Sequence, residues 1–369
     1  MKQSIGIHLP AILKQHYDVH LGEGLLSEFP TLLPPNLQHY SFVIITDNTV
    51  KKLYASTIVD AFEKAGKKIH LLSFPAGEDH KNAQTKMDLE TAMLKKHLGR
   101  DTCIIALGGG VVGDIAGFVA ATYMRGIPYI QVPTTLLAML DSSIGGKTGI
   151  NTPEGKNLIG AFWHPVCVIA DLNCLKTLPE KQMTSGWIEA LKIFMTCDET
   201  TFKEASHVTA PAMRFIKKAI ELKADVVVRD PHETGARAIL NFGHTIGHAL
   251  EKASDHAILH GHAIGYGMLV ESHIALQRDL ITKKDRQFII DALEHAGITG
   301  KAIKKYKPED ILSYTRLDKK AKNQEVRYVL LQNIGRTHIA NTHHTHPVSD
   351  KEVLLALNAV MEGDAHGGK

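Results

Sequence analysis

The chain has 369 residues, of which 44% are hydrophobic and 22% charged, and its formal net charge is +3. That length supports two domains with substantial cores, while the small charge, without a dense Lys/Arg block, excludes nucleic acid as the expected partner. No stretch reaches the roughly 20 apolar residues that a membrane-crossing helix needs, so no membrane partner is expected either.

Short apolar runs alternate with amphipathic segments in the first half, the pattern of a layered α/β fold. Strands are expected at 42–46, 70–74, 102–107, 129–132 and 166–170, and helices at 50–64, 82–98 and 113–121. From about residue 178 the pattern turns helical, with helices expected at 180–195, 211–226, 245–253, 260–279 and 283–296. The segment 304–308 reads as a basic solvated turn and 327–331 as a strand. The expected architecture is an N-terminal nucleotide-binding α/β domain (1–177) joined to a mainly α-helical domain (178–362). His343, His344 and His346 read as an incidental surface cluster, and the tail from Gly363 as frayed.

The four cysteines, Cys103, Cys167, Cys174 and Cys197, contain no CxxC pair, which suits a reducing compartment. Lys14, Gln15 and His16 interrupt the apolar residues near the start, so no signal-peptide pattern is present there. The expected location is cytoplasmic.

Gly108, Gly110 and Gly113 fit G-x-G-x-x-G after an expected strand and before an expected helix. Glycines let backbone approach a pyrophosphate, and the unpaired N–H groups of a helix start face its charge. The fit is incomplete: the motif follows the third expected strand, and no acidic residue lies about 20 positions on to hold a ribose. A structural glycine turn is the competing reading. Gly145-Gly146-Lys147-Thr148 resembles the end of a Walker motif, but Asp141 stands where that motif needs glycine. Lys147, Lys156, Asn157 and Arg125 form a cationic and amide set that a folded loop can bring to one phosphate.

His244 and His248 are one helical turn apart, so their side chains share a face. With His260 and a carboxylate such as Glu189, they offer a nitrogen and oxygen donor set suited to zinc. Position 245 is Thr, so this is not the H-E-x-x-H metalloprotease pattern. A hydrogen-bonded histidine cluster without metal is the alternative, and spacing alone does not decide which histidines ligate.

Several longer motifs in one order carry a more specific resemblance. They are 108–114 (GGGVVGD), 124–128 (MRGIP), 132–138 (VPTTLLA), 141–148 (DSSIGGKT), 155–160 (GKNLIG), 185–192 (SGWIEALK), 241–248 (NFGHTIGH) and 318–320 (DKK). The chain resembles the 3-dehydroquinate synthase family over nearly its whole length. The resemblance implies a divalent metal, zinc before cobalt, on Glu189, His244 and His260. It implies NAD across the first domain, at Asp47, Glu78, Lys81, Gly109, Gly110, Asp114, Thr134, Thr135, Asp141, Ser142, Lys147, Lys156 and Thr177. Asp141, Lys147, Asn157, Lys192, Lys223, Arg237, Asn241, His248 and Lys320 are implied substrate and catalytic positions, with Arg125 reaching the phosphate from the partner subunit of a homodimer. This chain departs from the family at His262, where Glu is common, and at Trp187 and Ile188, where a smaller pair is expected. His262 is thereby an alternative ligand or a neighbour of one.

The implied substrate is a small phosphorylated sugar acid, 3-deoxy-D-arabino-heptulosonate 7-phosphate. The implied reaction oxidises it at C5 with NAD, eliminates phosphate after loss of the C6 proton, reduces the ketone again and closes the ring by an intramolecular aldol step to 3-dehydroquinate. Lysines and an arginine suit a substrate with carboxylate and phosphate groups. A related cyclase making another carbocycle is the nearest alternative, and a metal-dependent polyol dehydrogenase a more distant one.

Overall fold

The computed structural model describes residues 16–208, 211–316 and 325–363. Its first half begins with β1 (Asp18–Gly22) and β2 (Ser41–Asp47), followed by one turn of helix, α1 (Asn48–Val50), which runs through a wider turn into α2 (Ser56–Lys64). Next come β3 (Ile69–Phe74), α3 (Ala83–Lys95), β4 (Thr102–Gly108), α4 (Gly110–Thr122) and β5 (Tyr129–Pro133). A hairpin of β6 (Lys147–Thr152) and β7 (Gly155–Phe162) precedes β8 (Cys167–Asp171).

Six of these strands form one parallel sheet in the order β1-β8-β5-β4-β2-β3. β4 is buried at every position, as a central parallel strand covered on both faces should be. Alternate side chains serve opposite layers: Phe42 and Ile44 join one apolar cluster, Val43 and Ile45 the other. Helix α4 covers the second face and carries buried Ile115, Ala116 and Val119.

The chain then turns helical: α5 (Glu180–Cys197), α6 (Glu199–Ala205), α7 (Met213–Arg229), α8 (His244–Ala253), α9 (His260–Gln277), α10 (Lys283–His295), α11 (Pro308–Thr315) and α12 (Asp350–Glu362). Small strands β9 (Arg327–Tyr328), β10 (Leu331–Asn333), β11 (Arg336–Thr337) and β12 (His346–Pro347) complete it. Helices α5, α8 and α9 share one core, which Leu136, Leu140 and Ile144 from the first half also enter.

The expected strands and helices of both halves are found within a few residues, but β1, the β6–β7 hairpin, α6 and α12 were not legible. The glycine loop consequently follows the fourth strand in chain order. The single strand expected at 327–331 is two: β9 pairs with β12 and β10 with β11, because Val329 and Leu330 between them are buried in the helical core. Pro308 opens a helix instead of closing a turn. His346 corrects the surface reading of its cluster, being 6% exposed, with Nε2–H donating to the His338 carbonyl at 2.9 Å. The tail beyond Gly363 lies outside the described residues.

Candidate active site

Many of the residues expected to hold a dinucleotide collect beyond the carboxyl ends of the parallel strands. β2 leads to β3 on one side, while β4 lies on its other side, so the chain changes direction between β2 and β4. Such a switch leaves a crevice at the strand ends. Asp47 ends β2 and caps α1, accepting the Thr49 and Val50 N–H groups at 2.8 and 2.9 Å. Gly109 follows β4, and α4 starts at Gly110 with no side chain capping its N–H groups. A Cβ at Gly109 would stand 3.1 Å from the Thr135 methyl, and one at Gly110 would stand 3.3 Å from the Ser142 hydroxyl. The loop is thus a tight cradle backed by two of the other expected residues.

Glu78 accepts the Asn151 amide at 2.8 Å, joining the turn after β3 to the hairpin. Buried Lys81 donates to Asp114 at 2.5 Å and to Asn157 at 2.6 Å. Burial raises the Asp114 carboxyl above its ordinary range even with this ammonium beside it. Thr134 donates its N–H to the Gly108 carbonyl, and the Thr135 hydroxyl accepts the Ala138 N–H. Thr177 lies against the Tyr54 hydroxyl.

Cations gather where the hairpin meets the helices. Lys147 opens β6 and forms an ion pair with Glu233, whose other oxygen accepts the Asn241 amide at 2.7 Å. Lys223 of α7 pairs with Asp141 at 2.5 Å and also donates to its carbonyl. Burial pulls the Lys223 ammonium down to about 8, only partly offset by Asp141. Asp141 is itself held below the carboxylate range: its burial is outweighed by Lys223 and Lys192. Arg237, 3% exposed, donates to the Gly145 and Pro231 carbonyls at 3.2 and 2.8 Å. Its loop is built on Asp230, which accepts the N–H groups of Thr234, Gly235 and Arg237 at 2.7 to 2.9 Å.

A carboxylate and three imidazoles lie beside these cations. Glu189 and Lys192 are one turn apart on α5, both inaccessible to solvent or nearly so, and joined at 2.5 Å through Glu189 Oε2. The other oxygen, Oε1, is 3.3 Å from His260 Nε2 and 3.9 Å from His244 Nε2, and no hydrogen bond satisfies it. One donor atom from each of Glu189, His244 and His260 lies within 4.8 Å of the others. A buried carboxylate oxygen facing two imidazole nitrogens fits a divalent cation. Burial disfavours a charged His260 ring, but the nearby Glu189 and Glu251 carboxylates outweigh it and push the ring up to about 10.

Two glycines allow this convergence. A Cβ at Gly261 would lie 2.0 Å from the Ser185 carbonyl oxygen, so α9 meets α5 backbone to backbone beside His260. A Cβ at Gly267 would lie 1.9 Å from the Gly243 carbonyl oxygen, which fixes the start of α8 and hence His244. Gly243 itself has φ +79°. Glu271 of α9 accepts its N–H at 2.7 Å, supplying from another helix the cap that α8 lacks.

His248 stacks on His260 with ring centroids 5.8 Å apart. His262 is directed elsewhere: it lines a separate cavity of about 320 Å³ with Glu180, Lys181, Trp187 and His295. It belongs to neither group of clustered metal donors. Two of the three departures from the family pattern, Trp187 and His262, therefore line that cavity, and Ile188 is buried in the helical core. Arg125 is exposed after the far end of α4, about 20 Å from Gly110 by helical rise alone. Lys320, like Lys319, lies outside the described residues. Sequence reasoning missed Glu233, Glu251 and Glu271. Glu251 carried a signal, since it follows His244 by two turns on one helical face; Glu233 sits in a polar loop without periodicity.

The N-terminal family model of 3-dehydroquinate synthase matches residues 71–185, and the C-terminal model matches 185–321. A 3-dehydroquinate synthase of Acidithiobacillus ferrooxidans is 40% identical over 358 residues, covering 95% of this chain and 96% of the relative. The chain belongs to the 3-dehydroquinate synthase family. A 2-deoxy-scyllo-inosose synthase solved with carbaglucose-6-phosphate, NAD+ and Co2+ superimposes with a TM-score of 0.85 at 29% identity, covering 94% of this chain and 96% of that one. A 2-epi-5-epi-valiolone synthase from Streptomyces hygroscopicus, solved with NAD+ and Zn2+, gives 0.82 at 25% identity, covering 96% and 99%. The α/β sheet followed by helices is thus the fold of sugar phosphate cyclases. Among the described residues no helix is long and apolar enough to cross a membrane.

Proposed function

We propose that this chain converts 3-deoxy-D-arabino-heptulosonate 7-phosphate to 3-dehydroquinate and phosphate, which agrees with the name, 3-dehydroquinate synthase, of the relative it resembles along 95% of its length. The observation that carries the substrate class is the placement of Lys147, Lys192, Lys223 and Arg237 around the Glu189–His244–His260 pole. A substrate with a carboxylate at one end and a phosphate at the other needs fixed cations, and a neutral polyol does not.

Glu189, His244 and His260 would hold the metal, and their mixed nitrogen and oxygen donors favour Zn2+, with Co2+ accepted. A divalent cation there supplies polarisation of substrate oxygens. Asp47, Glu78, Lys81, Gly109, Gly110, Asp114, Thr134, Thr135, Asp141, Ser142, Lys147, Lys156 and Thr177 are the proposed NAD positions, and NAD supplies the reversible hydride acceptor that side chains lack.

The remaining work falls to the protein's own groups. Lys223 and Lys192, buried beside Asp141 and Glu189, are preorganised positive charges at no reorganisation cost. Lys147, Asn157 and Arg237 would orient the phosphate and carboxylate, with Glu233 holding Lys147 and Asn241 until substrate arrives. His248, stacked on His260, would carry a hydroxyl proton. Arg125 and Lys320 complete the proposed set, Arg125 from the second subunit of a homodimer. Two folding units, 1–177 and 178–362, would close over the site and exclude water from reactive intermediates. A cytoplasmic location suits the four free cysteines.

The deciding experiment supplies purified protein with 3-deoxy-D-arabino-heptulosonate 7-phosphate, NAD and Zn2+ or Co2+ and follows phosphate release, with the organic product identified by NMR. Phosphate and 3-dehydroquinate in equal amounts, without net NADH, supports the proposal. Net NADH accumulation, or a different carbocycle, overturns it.

A further inference from the structure

Glu251 on α8 is 5% exposed, and both of its oxygens are engaged. Oε2 lies 3.2 Å from His260 Nδ1, and Oε1 accepts from Lys156 Nζ at 3.0 Å. Lys156 is in β7, so one carboxylate joins the hairpin to the imidazole whose other nitrogen faces Glu189. We propose that Glu251 is a positioning residue that holds His260 in the tautomer and orientation in which Nε2 is a metal ligand, with Lys156 fixing Glu251 in turn.

The inference rests on the metal reading above and goes further by assigning a residue outside the ligand set. An imidazole that ligates through Nε2 must carry its proton on Nδ1, and that N–H needs a fixed acceptor. Glu251 Oε2 is the acceptor placed there. His248, Glu251 and His260 also form a second group of clustered donors. A cation in that group would require the Nδ1 lone pair and would sit beside the Lys156 ammonium. The ammonium already supplies positive charge to Glu251, so the carboxylate orients the imidazole and does not ligate a second metal.

The test is Co2+ binding to metal-free protein by chelator competition, with the visible absorption of bound Co2+ recorded, for wild type, Glu251→Ala, Glu251→Gln and Lys156→Met. Circular dichroism establishes that each is folded. Loss of an outer partner of a ligating histidine weakens metal binding about 10- to 100-fold, so Glu251→Ala should fall in that range. Glu251→Gln keeps an oxygen able to accept from Nδ1–H and should lose less than Glu251→Ala, with a shifted Co2+ band. Lys156→Met should fall between Gln and wild type. Folded Glu251→Ala with wild-type Co2+ affinity overturns the proposal. If that variant does not fold, unchanged affinity and an unchanged band in Glu251→Gln overturn it equally. Wild type that fails to bind Co2+ defeats the metal reading itself, an outcome distinct from wild type that binds and variants that bind as well.

Discussion

Gly261 and Ser185 meet so closely that a Cβ on the glycine would lie 2.0 Å from the serine carbonyl oxygen. The Ser185 hydroxyl also accepts the Gly261 N–H at 3.0 Å. This contact sets the distance between α5, which carries Glu189, and α9, which opens with His260. Gly261→Ala must push the two helices apart. Overpacking of this kind costs about 1–3 kcal/mol, and metal affinity should fall with it. Urea unfolding and Co2+ titration of the same variant check both effects; normal affinity with reduced stability would show that the contact serves packing alone.

Removing the Glu189 carboxylate leaves the Lys192 ammonium, 1% exposed, without the oxygen it donates to at 2.5 Å. Breaking a buried pair from one side costs about 3–5 kcal/mol. Glu189→Ala should therefore lose metal and also unfold at lower denaturant even without metal. The double variant Glu189→Ala/Lys192→Met should recover part of that stability while remaining inactive.

Lys223 titrates near 8, because burial opposes its charge more than Asp141 supports it. Its ammonium is present below that value and is lost as pH rises through it. KM should consequently climb above about pH 8, while a lysine of ordinary pKa near 10.4 would leave it flat to about pH 9. Lys223→Met should have a high KM already at pH 7 and no such limb.

Asp230 holds the 230–237 loop through three backbone N–H groups, which together with the Thr234 hydroxyl outweigh the effect of burial and depress its folded pKa below the ordinary value. Its stabilisation is fully present above the unfolded value of about 3.9 and is lost as pH falls below it toward the folded value. Asp230→Ala should cost roughly 1–3 kcal/mol at pH 7. The gap in urea midpoint between variant and wild type should narrow between about pH 4 and pH 2. A gap that stays constant there would assign the effect to packing.

Lys147→Ala removes the exposed cation paired with Glu233 at the mouth of the hairpin. Loss of one preorganised donor to developing negative charge typically lowers kcat about 10²–10³-fold. Phosphate release in single turnover should fall by that order, with a smaller fall in NAD affinity because Lys147 is also among the proposed NAD positions. An equal fall in NAD affinity would leave Lys147 with the cofactor alone.

The sequence alone determined the alternation of strands and helices, because burial on both faces makes β4 a short continuous apolar run and burial on one face gives α8 a helical period, both written locally. It likewise placed His244 and His248 on one helical face and showed the glycine loop between a strand and a helix. It did not determine which imidazoles meet Glu189, since 55 residues separate Glu189 from His244 and the distance depends on close packing at Gly261 and Gly267. His262 stands two residues from His260 on the same helix, which turns it about 200° away, and only tertiary packing put a cavity with Trp187 and His295 there. Glu233, Glu251 and Asp230 have ordinary surface chemistry in the sequence. Their partners, Lys147, Lys156 with His260, and the backbone of a loop, come from elsewhere in the chain or from its own turn, and only folding brings charge and acceptor together.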